Sequence, residues 1–272
     1  MKKNFCCSFC KGKSFKIRFK YSYPPRNETK FKLKGKKYKR HYVSCNICGH
    51  WFSQHKIDLK YFYSEEYMSG TYANKISRTF EKIISLPKEN SDNFYRIKRI
   101  KNFKEKSSLR KKNIDLLDIG SGLGVFPHSV KNIGWNCTAI DPDIRSVSHI
   151  KKRIKIKAMH GEFMKIKKIG KYDAITLNKV LEHVINPTII LKKAKKNLRD
   201  DGFIYIEVPD AETASLEGKN REEFYIDHLH VFSKPSLIFM CNNAGLQTVR
   251  VDRIKEPSGK FTLFAFVSLL SK

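Results

Sequence analysis

The stretch LLDIGSGLGVF, residues 116–126, limits the possible folds of this chain more than any other segment. An apolar run containing Asp118 leads directly into Gly-x-Gly-x-Gly, which is typical of a β-strand followed by a tight turn and a helix. The three glycines allow the backbone to turn sharply and to approach a ligand closely. Because open parallel sheets bind ligands at the carboxyl ends of their strands, the pattern predicts a ligand at this loop.

Strands and helices alternate from Asn113 onward. Six strands are predicted from the pattern, and helices are predicted between the first five of them. This alternation favours an α/β fold with a parallel sheet covered by helices on both faces. The predicted strands cover residues 114–119, 136–140, 173–178, 203–208, 246–253 and 261–269, with a further one near 156–160.

The residues around the glycine loop argue against a bound pyrophosphate. Val125 takes the place of the third small residue of the dinucleotide fingerprint, and the Gly-Lys-Ser/Thr ending of a Walker loop is missing. The Asp118 carboxylate repels phosphate but suits an ammonium or a sulfonium. Asp141 can accept hydrogen bonds from both ribose hydroxyls. Glu162 can accept from an adenine amino group, with Phe163 stacking or offering its N–H. Together these residues describe S-adenosylmethionine.

At these motifs the sequence resembles the class I S-adenosylmethionine-dependent methyltransferases. DIGSGLG, AIDPD and HGEF are similar to the first three family motifs, and KYDAITLNKVLEHVINP is similar to the strand-four signature. DDGFIYIEVPD resembles the fifth strand, and HLHVFSKPSLIFMCNNAGL resembles the segment before the last two strands. The resemblance covers about residues 90–272 and implies a Rossmann-like, seven-stranded sheet. The cofactor-binding residues expected from the motifs are Asp118, Gly120, Ser121, Gly122, Gly124, Asp141, Pro142, Glu162, Phe163 and Asn178.

Two C-x-x-C pairs in the front part of the chain predict a structural zinc site. Zinc prefers four soft ligands in a tetrahedron, and each pair presents two thiolates on one side of a turn. His41 and His50 are alternative ligands, Cys6 fits only with altered spacing, and Cys137 and Cys241 are expected in the core. The predicted ligands are Cys7, Cys10, Cys45 and Cys48.

The absence of an apolar leader and of an 18-residue apolar run favours a cytosolic protein without a membrane span. In that compartment cysteines bind metal more often than they form disulfides. We expect three parts: a zinc-ribbon-like basic module over residues 1–60, a helical connector over 61–112, and a methyltransferase domain over 113–272. The ribbon and the segment YFYSEEYMSGTY resemble the front end of methyltransferases from bacterial sugar, polysaccharide and secondary-metabolite pathways, although that ribbon is usually less basic and has a shorter spacer.

The candidate catalytic residues are histidines, since a hydroxyl or activated C–H acceptor needs a base that works near neutral pH. IDHLHVFS is similar to the Glu-His segment of the deoxysugar C-methyltransferases. That match implies His228 as the base and Asp227 as the residue that orients it, with His183 as a second candidate; a structural hydrogen bond is the alternative role. Quinone-pathway O-methyltransferases add an acid that helps to hold a divalent metal. Asn178 and Lys179 occupy that region here, so we expect no catalytic metal.

The net charge of +29 is concentrated in the front of the chain. Residues 1–112 contain 30 Lys and Arg against 8 Asp and Glu, whereas residues 113–272 contain 25 against 18. An anionic partner explains this distribution, but so does compositional drift, which the excess of lysine over arginine favours.

Three functions therefore stay open. The first is a methyltransferase for a small molecule, expected to be a sugar, nucleotide sugar or glycan intermediate modified on oxygen or carbon. The second is an RNA methyltransferase that grips the backbone with its basic front, although LNKV replaces the Pro-Pro motif of N-methylating nucleic-acid enzymes. The third is a binding protein without activity, which the intact cofactor motifs disfavour.

Overall fold

The computed structural model describes residues 6–28, 37–55 and 76–270, and these residues form two β-sheets with helices around the larger one. The segment YFYSEEYMSGTY lies outside the described residues. The strands are β1 Phe15–Tyr21, β2 Arg40–Cys45, β3 Trp51–His55, β4 Asp115–Ile119, β5 Asn136–Asp141, β6 Lys157–His160, β7 Tyr172–Asn178, β8 Leu198–Pro209, β9 His230–Val231, β10 Leu246–Lys255 and β11 Phe261–Leu269. The α-helices are α1 Ile76–Ile84, α2 Asp92–Lys106, α3 Val125–Asn132, α4 Ile144–His149, α5 Pro187–Lys196, α6 Ala211–Leu216 and α7 Lys234–Asn243.

The larger sheet has seven strands in the order β10-β11-β8-β7-β4-β5-β6. Strands β4 to β8 run parallel, while β11 is antiparallel to both β8 and β10. This arrangement is the Rossmann-like class I methyltransferase fold, which confirms the predicted fold class. The chain proceeds outward from β4 on one side and from β7 on the other. The switch point of the topology therefore lies between these two strands, where the glycine loop begins.

The central strands are buried on both faces, as expected for parallel strands covered by helices. Because side chains alternate along a strand, Leu116 and Leu117 belong to different apolar clusters. Leu117 packs in the cluster that includes Leu237 of α7. Leu116 packs in the cluster that includes Ile100 of α2. This double burial explains why the strands read as nearly continuous apolar runs in the sequence.

The smaller sheet has the order β1-β2-β3-β9, and we call it the front sheet. Its fourth strand comes from the far end of the chain: Trp51 pairs with Val231 and Phe52 pairs with His230. The front part is also tied to α7, because the Asn243 side chain donates to the carbonyl of Phe9 at 2.7 Å. The front part is therefore joined to the later part of the chain by the strand pairing of β3 with β9 and by a side-chain hydrogen bond.

None of the helices in the described ranges has the length and apolar composition that crossing a bilayer demands.

Candidate active site

The glycine loop adopts a backbone that only glycine tolerates easily. Gly120, Gly122 and Gly124 have φ angles of +74°, +51° and +77°. A Cβ atom on Gly120 would lie 2.6 Å from the Cγ2 atom of Val180, and one on Gly124 would lie 2.4 Å from the Cδ1 atom of Ile154. Both the conformation and the lack of space therefore require glycine here.

The loop is tied to the end of β5 by hydrogen bonds. The N–H groups of Gly120 and Ser121 donate to the carbonyl of Ile140 at 2.8 and 3.1 Å. The Asp141 carboxylate accepts from the Gly122 N–H at 2.7 Å and from the Asp143 N–H at 2.8 Å, one on each oxygen. Each carboxylate oxygen retains further acceptor capacity, and burial raises the pKa of this group. The geometry fits a pair of ribose hydroxyls.

Asp118 and Asn178 form a buried acceptor group at the switch point. The Asp118 Oδ1 atom accepts from Thr176 Oγ1 at 2.6 Å and from Asn178 Nδ2 at 3.0 Å. Burial raises the pKa of Asp118 to about 6, although these hydrogen bonds oppose that shift. The Asn178 Oδ1 atom is buried without a hydrogen-bond partner among the described residues. An acceptor in this state suits a ligand that brings N–H donors, such as an ammonium group.

The predicted adenine-side residues differ in exposure. The Glu162 side chain is 59% exposed and pairs with Lys165 at 2.6 Å, so it lies at the surface. The Phe163 ring is buried in the core, and the Lys193 ammonium lies 5.1 Å from its centroid. The expected stacking of Phe163 on an adenine therefore does not fit, which leaves its N–H as the alternative. Pro142 is exposed, and its carbonyl accepts from His160 at 3.0 Å.

His228 lies in a segment, residues 225–229, that we call the histidine loop. Its Nδ1 atom lies 2.9 Å from the carbonyl oxygen of Glu223. Because a carbonyl only accepts, Nδ1 donates, and Nε2 is the acceptor atom whenever the ring is neutral. Similarly, the Nδ1 atom of His183 lies 3.0 Å from the carbonyl oxygen of Asp227. The two imidazole rings meet edge to face with centroids 4.9 Å apart.

The predicted pairing of Asp227 with His228 is wrong. The Asp227 carboxylate lies 3.7 Å from Nδ1 of His183, so it stands next to the other histidine. The Nδ1 atom of His228 is instead held by a backbone carbonyl. Glu223 directs its buried carboxylate to Arg221 and to the N–H of Phe261.

Glu182 is the site residue whose role the sequence analysis missed. It is fully buried, and both of its carboxylate oxygens lack a hydrogen-bond partner within the described part of the chain. One of its carboxylate oxygens and one ring nitrogen of each of His183 and His228 lie within 4.8 Å of one another. The buried Glu182 carboxylate can therefore accept from a hydroxyl group or hold a cation. Two imidazoles and a carboxylate are also ligands that divalent metals accept. The Glu-His pair after β7 was the available signal.

Lys179 is a second residue to which the sequence analysis gave no role. Its φ angle is +58°, which is uncommon for a residue with a side chain and frequent at functional sites. Its ammonium donates to the Thr262 hydroxyl at 2.5 Å, and burial lowers its pKa. The residue lies directly after Asn178 at the carboxyl end of β7.

The four predicted zinc ligands lie together in the front part. The sulfur atoms of Cys7 and Cys48 are 3.6 Å apart, and those of Cys10 and Cys45 are 3.5 Å apart. A tetrahedral zinc site with Zn–S bonds of about 2.3 Å has edges of about 3.8 Å, so the arrangement fits this metal. The alternative ligands lie elsewhere or have other contacts: Cys6 is exposed, His41 contacts Gln54, and His50 contacts His230. Cys137 and Cys241 are buried in the core, as predicted.

Comparisons with known proteins show the family to which this fold belongs. A family model described as a methyltransferase domain matches residues 68–251. The chain is 34% identical over 115 residues to the ubiquinone biosynthesis O-methyltransferase of Pelagibacter ubique (strain HTCC1062), which covers 39% of this chain and 47% of that protein. It is 27% identical over 148 residues to the enzyme of the same name from Xanthomonas axonopodis pv. citri (strain 306), which covers 48% and 62%. The chain thus spans less than two thirds of these relatives.

Two solved structures share the fold at low sequence identity. The magnesium protoporphyrin IX methyltransferase of Synechocystis PCC 6803 with bound SAH has a TM-score of 0.58 at 10% identity, covering 76% of this chain and 100% of that chain. The 1,6-didemethyltoxoflavin-N1-methyltransferase of Burkholderia thailandensis has a TM-score of 0.57 at 13% identity, covering 85% and 96%.

Proposed function

Since this chain belongs to the methyltransferase domain family, we propose that it transfers a methyl group from S-adenosylmethionine to a hydroxyl group of a small molecule. One observation carries this proposal: the glycine loop is adjacent to the group formed by Glu182, His183 and His228. The space beside Gly120 is filled by Val180, and the carbonyl of Val180 accepts from the N–H of His183 at 3.1 Å. A methyl donor in the loop and an acceptor hydroxyl at the histidines would therefore meet.

The residues around the loop are suited to hold the parts of S-adenosylmethionine. Asp141 accepts from the ribose hydroxyls, while Asp118 and Asn178 provide the polar surface for the ammonium of the methionine part. Glu162 is exposed beside the loop and can accept from the adenine amino group. When bound, S-adenosylmethionine supplies an electrophilic methyl group on a positively charged sulfur.

In the proposed reaction His228 is the general base. Its Nε2 atom takes the proton of the acceptor hydroxyl, and the Glu182 carboxylate within 4.8 Å stabilises the imidazolium that results. His183, next to the Asp227 carboxylate, is the second group that can hold the hydroxyl. The remainder of the catalysis is alignment and exclusion of water, because the leaving group is already good.

The names of the relatives bear on which atom of the acceptor is methylated. The curated relatives are O-methyltransferases by name, which supports oxygen as the atom that is methylated. The sugar, nucleotide-sugar or glycan acceptor expected from the front end of the sequence stays a prediction, and so does the alternative of RNA.

We also propose that Cys7, Cys10, Cys45 and Cys48 bind one structural zinc ion.

The test is methyl transfer from labelled S-adenosylmethionine to three panels: nucleotide sugars, dihydroxylated aromatic acids and total RNA. Label in an O-methyl product of either small-molecule panel supports the proposal. Label in RNA alone, or none despite calorimetric binding of S-adenosylmethionine, contradicts it.

A further inference from the structure

The histidine loop is held from two sides, and the front sheet provides one of them. On the side of the large sheet, the carbonyl of Glu182 accepts from the N–H of Leu229 at 2.8 Å. On the other side, the Tyr42 hydroxyl of β2 lies 2.7 Å from the carbonyl oxygen of His228 and 3.0 Å from that of Tyr225. The front sheet therefore contacts the backbone of the residue whose ring serves as the base.

Two further front contacts fix the same loop. The Glu28 carboxylate accepts from the N–H of Ile226 at 2.7 Å, and the N–H of Ser53 donates to the carbonyl of Leu229 at 3.0 Å. Glu28 is itself fixed, because Arg40 donates to the same oxygen at 2.9 Å from a side chain that is completely buried. The loop thus receives contacts from the front part at four of its five residues.

Tyr42 is well suited to act as a rigid anchor. Its side chain is fully buried, and its ring packs edge to face on Phe224 with centroids 5.4 Å apart. Burial raises the pKa of the phenol, so the hydroxyl keeps its proton and donates throughout the neutral range. The single hydroxyl proton is shared between the carbonyls of His228 and Tyr225, and the buried ring keeps the hydroxyl oxygen beside both.

From these contacts we infer that Tyr42 is a positioning residue for the base His228, with Glu28 as a second anchor. Tyr42 touches neither the acceptor nor the methyl donor in this assignment; it determines where Nε2 of His228 lies. The inference rests on the proposed function, because that function makes His228 the base. It gives the front sheet a role in catalysis beyond its own folding.

The experiment compares Tyr42→Phe with Tyr21→Phe. Both changes remove a single hydroxyl from the front sheet, but the Tyr21 hydroxyl donates to the carbonyl of Lys219 at 2.7 Å, outside the histidine loop. Tyr42→Phe should lower kcat about 10- to 100-fold, the loss expected for a misplaced catalytic group, and leave the Kd for S-adenosylmethionine unchanged. Tyr21→Phe should keep the wild-type kcat. Turnover is measured with the best acceptor from the panels above.

Hydrogen exchange supplies a readout that does not depend on turnover. In the wild-type protein the amides of residues 226–229 should exchange as slowly as those of β2, and Tyr42→Phe alone should accelerate them. Rapid exchange in the wild type, or a Tyr42→Phe variant with wild-type kcat, would overturn the inference. A wild-type protein that methylates no hydroxyl compound would instead remove the proposed function, while the exchange comparison would still report whether Tyr42 holds the loop.

Discussion

At the scale of single residues, the proposed chemistry depends on His228 and His183 beside Glu182. Nε2 is the acceptor atom of the neutral His228 ring, because Nδ1 donates to a carbonyl. His228→Ala should therefore reduce turnover by roughly 10²- to 10⁴-fold, while the affinity for S-adenosylmethionine changes little. Steady-state kinetics and calorimetry measure the two effects separately. Wild-type turnover in His228→Ala, together with an inactive His183→Ala variant of normal cofactor affinity, would move the base to the turn after β7.

Asp118 gives cofactor binding a predicted pH dependence. Its pKa is raised to about 6, mainly by burial, so the carboxylate becomes protonated as the pH falls through 6. Loss of this negative charge weakens the attraction for the ammonium of S-adenosylmethionine. The Kd should therefore rise as the pH falls from 7 to about 5, and the Asp118→Asn variant should lack this component. Calorimetric titration across that range is the measurement; the same pH profile in both proteins would contradict the assignment.

The same raised pKa affects stability with the opposite sign. Between its usual value and about 6, the folded protein binds the Asp118 proton more tightly than the unfolded chain does. The contribution of Asp118 to stability is therefore fully present below the usual aspartate pKa and is lost as the pH rises through about 6. Asp118 thus favours ligand binding at neutral pH at some expense to folding, which is common for groups at functional sites.

The sequence predicted which residue types gather at the site but not how each one is oriented. Asp227 and His228 are neighbours in the chain, which suggested that they interact. In the folded chain Asp227 lies beside His183, and Glu223 contacts His228 through its backbone carbonyl. Contacts of this kind depend on the path of a loop, and no periodicity in the sequence encodes that path.

At the scale of elements, the turn that opens α3 has a testable requirement for glycine. Gly124 and Gly134 have similar φ angles, +77° and +82°, but a Cβ atom on Gly134 would meet nothing within 4 Å. Gly134→Ala should cost about 1 kcal/mol from backbone strain alone. Gly124→Ala should cost about 1–3 kcal/mol more, because Ile150 and Ile154 must move, and it should weaken cofactor binding. Denaturant unfolding of both variants gives the comparison, and equal losses would show that space at Gly124 is not limiting.

The two cysteine turns form the second testable element. Purified protein should contain about one zinc ion per chain, and Cys45→Ser should lose it, because a closed structural site needs all four thiolates. Cys6→Ser is the matched control, since Cys6 is exposed and adjacent to a ligand in sequence. Metal analysis after purification without chelators reads out the result. Protein free of zinc under those conditions, or equal zinc in both variants, would contradict the assignment.

The strands of the large sheet were predicted well because their burial on both faces gives them an apolar sequence. Doubly covered strands consist of apolar runs, and the predicted bounds for β5 and β11 agree with the structure within one residue. The prediction for β8 began at residue 203, whereas the strand begins at Leu198, because its first part contains the polar residues Arg199, Asp200 and Asp201. The two-residue strand β9 escaped prediction, since only its long-range partner β3 makes it a strand.

At the scale of the whole molecule, the net charge of +29 is compatible with a small acceptor or with an anionic polymer. The two possibilities differ in their response to salt. Methylation of a small acceptor should change little between about 50 and 200 mM salt, whereas binding to RNA through several phosphates should weaken by orders of magnitude. Turnover and RNA binding measured along one salt series test this expectation. A steep loss of turnover on the small acceptor would indicate that its recognition is itself electrostatic.

The strand β9 also determines how this chain can be shortened. It follows the strands β4 to β8 in the chain but forms the outer strand of the front sheet, and it contains the buried His230. A protein that starts at residue 76 would therefore keep one strand of a sheet whose other three strands are gone. The unpaired backbone of that strand and the exposed Phe232 would form an apolar edge, to which strands of other molecules can pair. Such a truncated protein should aggregate on expression, so we expect the large sheet to need the front sheet for its solubility.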